Sequence, residues 1–137
     1  MDACNAKSMT TKGVTHMEDN KRSELLGKLV SLLRDEGMLH DVCIYAGDRR
    51  YFSEEHDWHD NLTRDEKLGL CYQEGIDVRE YLEYSNPDTL TVTFEGPLYA
   101  ALNYGDGKLE RKLDALFGKY GLYMEYGHAW SFSLWEE

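Results

Sequence analysis

Between Asp88 and Glu95 the chain alternates, with Leu90, Val92 and Phe94 on one side and Thr91 and Thr93 on the other. Such a strand has one apolar face and one wet face, and the apolar face must be covered. Two segments elsewhere suit that task. Leu25, Leu29, Leu32 and Leu33 recur at helical spacing, and Leu26 and Val30 widen the stripe. Leu109, Leu113, Leu116, Phe117 and Tyr120 form a second stripe. The expected fold is therefore α+β: a single domain with a mainly antiparallel sheet and helices packed on one face.

The remaining elements follow from local signals. A helix is expected over 20–36, capped by Asp19 or Asn20 and closed by Gly37. Gly27 weakens it by roughly 1 kcal/mol relative to alanine, which suggests a close approach to a neighbour. Asp41–Ala46 and Arg49–Ser53 read as a hairpin around Gly47-Asp48, with both faces of the first strand partly covered. Thr63-Arg-Asp-Glu66 matches a capping box, so a short helix to about Gln73 is expected. Asp77-Val-Arg-Glu80 starts another, running through Tyr84 and ended by Asn86-Pro87. Pro97 suits the first position of a short helix through Asn103. The second leucine stripe spans 108–120, with Gly121 after it. Leu122–Tyr126 and Ala129–Trp135 form a last hairpin about Gly127-His128, with Trp130, Phe132 and Leu134 on one face and Tyr123 and Trp135 turned away. The order is α-β-β-α-α-β-α-β-β. Residues 1–18 lack periodicity and read as a disordered tail before a domain at 19–137, and Met17 is a second candidate start.

Charge is the strongest functional clue. Net charge is −11, and the excess is uneven. Asp41 to Glu66 holds eight carboxylates against three arginines, and 67–104 holds six against two. Nucleic acid and anionic membrane call for clustered Lys and Arg, so this field repels them and favours basic partners. The chain has no apolar run near the ~18 residues that span a bilayer. An odd cysteine count (Cys4, Cys43, Cys71) and the lack of a signal-peptide pattern at the N-terminus point to reduced thiols and a cytoplasmic protein.

Several chemical readings compete with that clue. His56 and His59, three apart and flanked by Glu54, Glu55, Asp57 and Asp60, have the residue types of a metal site; with Asp60 as third ligand they define the alternative function, a metal-dependent hydrolase. No second motif supplies further ligands, and an acidic loop anchored by Trp58 explains the same residues. Cys43 or Cys71 beside His40, His59 or His128 would make a nucleophile–base pair, but both cysteines stand among apolar residues, where a structural thiol is usual. Gly105-Asp-Gly107 lacks the spacing of a phosphate loop and reads as a tight turn. The segments 63–73 and 77–84 have helix-turn-helix spacing, but the second carries more acid than base and would be repelled by phosphate.

Two stretches, Asn86-Pro-Asp-Thr-Leu-Thr-Val-Thr-Phe-Glu-Gly-Pro-Leu-Tyr99 and Lys119-Tyr-Gly-Leu-Tyr-Met-Glu-Tyr-Gly-His-Ala-Trp-Ser-Phe132, resemble small acidic accessory proteins of unassigned activity carried by mobile elements of Gram-positive gut bacteria. The resemblance implies an accessory role in element maintenance or evasion of host defence, and assigns no functional residues.

The expectation is a non-catalytic, cofactor-free acidic module that binds a basic protein, with imitation of the phosphate array of a nucleic acid as one form of that binding. Its surface lies between Asp41 and Glu83. The densest candidates are Glu54, Glu55, Asp57, Asp60, Asp65 and Glu66, with Trp58 as an apolar anchor.

Overall fold

The structure, a computed structural model, describes residues 17–53 and 62–137. These residues form three α-helices and a seven-stranded sheet. In chain order the elements are α1 (Asp19–Asp35), β1 (Val42–Ala46), β2 (Arg49–Phe52), β3 (Thr63–Asp65), β4 (Leu70–Glu74), a 3₁₀ turn (Val78–Glu80), β5 (Leu90–Phe94), α2 (Gly96–Tyr104), α3 (Lys108–Gly118), β6 (Leu122–His128) and β7 (Ser131–Glu136). The sheet order is β3-β4-β2-β1-β5-β7-β6, and every neighbouring pair is antiparallel. The α+β class stands as expected, with the helices on one face.

That face is closed by apolar packing. Val42, Ile44, Leu90, Val92, Phe94, Phe132 and Leu134 point into one cluster with Leu25, Leu29 and Leu33 of α1 and Leu113 and Phe117 of α3. The Phe132 ring lies 5.7 Å from Phe94 and 5.9 Å from Phe117, centroid to centroid. Each such side chain, fully buried, stabilises by roughly 1.5–3 kcal/mol. Met17, just before α1, already packs in this core. Helix α1 starts after Glu18 rather than at an Asp19 or Asn20 cap; Asp19 instead accepts from the Arg22 guanidinium at 2.6 Å. Gly37 closes α1 as expected, at φ 71°, with the Met38 amide donating to the Leu33 carbonyl at 2.7 Å.

The order of elements differs from expectation in the middle of the chain. Residues 63–74 form the β3–β4 hairpin and not a helix, because residues 71–74 pair along the whole of β2. Tertiary pairing overrides the local capping signal here. Asp65 Oδ1 accepts from the Leu68 amide at 3.0 Å and shapes a turn, while Glu66, the acid of the expected capping box, pairs with Arg64 instead. At 77–84 only one 3₁₀ turn forms. Asp77 does cap it, accepting from the Arg79 amide at 3.0 Å. The turn then stops, because the chain continues across the second face of the sheet.

That second face is not wet. Thr91, Ser131 and Ser133 are all buried. The segment 75–89 crosses over them and holds on in two ways. Ile76, Val78 and Leu82 pack on Tyr45 and Cys43 in a smaller apolar cluster. Further along, the Asn86 side-chain amide donates to the Leu134 carbonyl at 2.8 Å, and the Asn86 backbone amide donates to Thr91 Oγ1 at 3.0 Å. Thr89 also donates to the Leu134 carbonyl, at 2.6 Å, and Thr91 and Ser133 share a hydrogen bond of 2.9 Å. These bonds satisfy the polar groups that make up the strands' second face.

Three smaller corrections follow. Strand β6 runs on to His128, so the last turn is Ala129-Trp130, and Trp130 leaves the face shared by Phe132 and Leu134. Leu116 is only half-buried, while Leu113 and Phe117 are sealed. A Cβ at Gly27 would meet open space, so this glycine serves no close approach.

Candidate partner-binding surface

Of the acidic candidates, Asp65 and Glu66 fall within the described residues; Glu54, Glu55, Asp57, Trp58 and Asp60 lie outside them, as do the metal candidates His56 and His59. Asp65 and Glu66 stand at the end of edge strand β3. Asp65 is engaged in its own turn. Glu66 is exposed and pairs with Arg64 at 3.3 Å. The Arg34 guanidinium donates to the Leu68 carbonyl at 2.7 Å and fastens this hairpin to α1. The surface nearby is therefore firmly placed.

Further acids come from the crossing segment. Its inward positions, Ile76, Val78 and Leu82, bind the sheet; its outward positions include Glu80, Tyr81, Glu83 and Tyr84, all exposed. Asp77 pairs with Arg79 at 3.0 Å, and the Arg79 guanidinium and amide together hold its carboxyl below the usual range. Glu74 pairs with Arg49 at 3.3 Å. Local arginines thus offset part of the charge that the sequence displays.

Aromatic rings form a ridge beside these acids. Trp130 stacks on His128 at 4.5 Å with an interplanar angle of 8°, and His128 meets Tyr84 edge-on at 5.4 Å. Tyr84 lies directly on Gly127: a Cβ there would sit 2.6 Å from the Tyr84 Cβ. Gly127 is thus a close-approach glycine, beside an irregularity in the β6–β7 register. A cleft of about 370 Å³ opens on one side of the ridge, lined by Asp41, Cys43, Tyr45, Tyr81, Glu95 and Trp130 among others. A smaller hollow of about 220 Å³ opens on the other, lined by Glu83, Tyr84, Glu125 and Trp135 among others. Both hollows pair aromatic walls with two carboxylates.

Burial pushes the Cys43 thiol up, opposite to the shift an activated thiolate needs. Cys71 is buried in β4. Among the described residues, no group of three or more His, Cys, Asp or Glu side chains comes together to hold a metal ion. Likewise, no helix there is long and apolar enough to cross a membrane.

Sequence reasoning weighed the acids but missed their aromatic setting. The available signal was Tyr81-Leu-Glu-Tyr84, in which a single leucine anchors a segment otherwise built of exposed rings and acid. Comparison of the chain with known protein families, with curated proteins and with solved structures finds no match.

Proposed function

We propose that this protein is a non-catalytic binding module that engages a basic protein partner through the acidic middle of its chain. The observation that carries this reading is the crossing segment. It presents Glu80, Glu83, Tyr81 and Tyr84 outward from a backbone fixed by the Ile76–Val78–Leu82 cluster and the Asn86 bonds. Rigid exposed tyrosines beside acids combine large contact area with little ordering cost, and suit a partner rich in Lys and Arg. The acids Glu54, Glu55, Asp57, Asp60, Asp65 and Glu66, with Trp58, extend the same charge field in sequence. Mimicry of a nucleic acid, occupying a basic groove on an enzyme that binds one, is the form of partnership that a net charge of −11 favours. An accessory role on a mobile element, in the cytoplasm, belongs to the same proposal.

The test is capture of interacting proteins by wild type and by a variant with Glu54, Glu55, Asp57 and Asp60 reversed to lysine, side by side at low and high salt. Basic proteins held by wild type at low salt and lost by the variant support the reading. Equal capture by both places the interface elsewhere and removes the role of those four acids.

A further inference from the structure

The cleft beside Trp130 combines features that recognise a cation. Trp130 and Tyr81 are large rings that remain 39% and 53% exposed. Glu95 and Asp41 bring two carboxylates to the same opening, and Leu82 with Cys43 gives it an apolar base. An aromatic wall beside a carboxylate is the arrangement that holds an ammonium or guanidinium group, by ring–cation attraction and by charge. At about 370 Å³ the cleft lies at the small end of ligand sites and suits one long side chain.

The surroundings of the cleft already hold a cation in a related way. The Arg50 guanidinium lies 5.1 Å from the Tyr81 ring centre and 6.0 Å from that of Tyr45, and donates to Gln73 Oε1 at 2.6 Å. His40 Nε2 stands 3.2 Å from Asp41 Oδ2. The Arg50 guanidinium is thus spent on rings and Gln73, and the His40 imidazole on Asp41. Glu95 and the Trp130 ring are the lining groups best placed for an incoming cation, since Trp130 has only one face against His128. The rim also carries a strained residue. Asp41 is the non-glycine residue with positive φ, at 60°, among those described. Its carbonyl accepts from the Glu95 amide at 3.1 Å, so this turn of backbone fixes both acids together.

We infer that this cleft is the anchor pocket for an arginine side chain of the basic partner, closed between Trp130, Tyr81 and Glu95. The inference rests on the proposed function and deepens it: it names one described pocket and one residue type. The experiment is a nuclear magnetic resonance titration at low ionic strength. The probes are N-acetyl-arginine N-methylamide, its norleucine counterpart as the uncharged control, and a short arginine–serine peptide. Saturable shifts of the Trp130 indole N–H and the Thr93 amide with the arginine compound, and none with norleucine, are expected. Trp130→Ala should weaken binding about five- to thirtyfold, matching a ring–cation contact of roughly 1–2 kcal/mol. Glu95→Gln, an exposed and near-isosteric change, should weaken it without touching the fold. If the peptide binds wild type and both variants equally, with shifts away from Trp130, the pocket assignment is overturned while the basic-partner reading survives. If neither the arginine compound nor the peptide binds, both fall.

Discussion

The two faces of the sheet are closed by different chemistry. The first is sealed by α1 and α3 with leucine and phenylalanine, a layer that needs only volume and apolar surface. The second is spanned by the irregular segment 75–89, fixed at one end by three apolar side chains and at the other by the Asn86, Thr89, Thr91 and Ser133 bonds. Helices cover a face and hide it. A single crossing strand of chain covers the middle and leaves hollows at its sides, with its outward residues in water. In this molecule the first face supplies stability and the second supplies shape, charge and exposed rings.

The largest expected effect breaks the first face. Leu113→Asp would bury an unpaired charge at a sealed position. It should abolish cooperative folding or lower stability by more than the ~2–5 kcal/mol of a Leu→Ala change. Thermal or urea unfolding reads this directly. Leu116→Asp, one turn-mate away but half-buried, should cost clearly less.

Next comes the polar clamp of the second face. Asn86→Ala removes the donor to the Leu134 carbonyl and the acceptor for the Asp88 amide in a buried setting. A loss of roughly 1–3 kcal/mol is expected. Leu82→Ala should sharpen the contrast further. It empties part of the small cluster, so hydrogen exchange at 76–84 should quicken far more than in α1 or α3. Equal acceleration throughout would show that the two faces fold as one unit.

Gly27→Ala works in the opposite direction. The site is mid-helix with open space around it, so the substitution should stabilise by up to ~1 kcal/mol.

The smallest effect is electrostatic. Tyr120 donates to Glu24 at 2.6 Å and ties the end of α3 to α1. Burial and this bond push the Tyr120 phenol up to about 12, and the same bond holds the Glu24 carboxyl below its usual range. The raised phenol contributes stability that is whole below its unfolded pKa near 10 and is lost as pH rises toward 12. The lowered carboxyl contributes stability that is present above its unfolded pKa near 4.3 and is lost as pH falls. The stability gap between wild type and Tyr120→Phe should therefore be widest between these limits and shrink at both ends of a pH series.

What the sequence made legible follows the same division. Periodicity located α1, α3 and β5, because each has one face that must be apolar, and the Gly47-Asp48 turn located the β1–β2 hairpin. It failed at 63–74 and 77–84. There Asp65 and Asp77 still accept from nearby backbone amides but serve turns. The sheet decides the backbone, through Cys71 and Tyr72 against β2 and through Val78 and Leu82 against Tyr45. The second face was read as wet because threonine and serine were taken at face value. Their partners, Asn86 and the Leu134 carbonyl, lie far along the chain and carry no sequence signal. For the same reason the acids were legible while the Tyr84–His128–Trp130 ridge was not, since it joins three rings through the seat that Gly127 offers Tyr84.

The central claim is that the second face engages a basic partner, and that its charge acts by position as well as by total. The direct measurement is the association rate of a short arginine–serine peptide with two charge reversals of equal size. One carries Glu80→Lys with Glu83→Lys on the crossing segment. The other carries Asp35→Lys with Asp114→Lys on the helices of the first face; all four positions are exposed. Steering by a located patch predicts a large fall in rate for the first pair, a small one for the second, and convergence of all three proteins as salt rises. Equal falls for both pairs would contradict the claim, because the charge would then act only as a total.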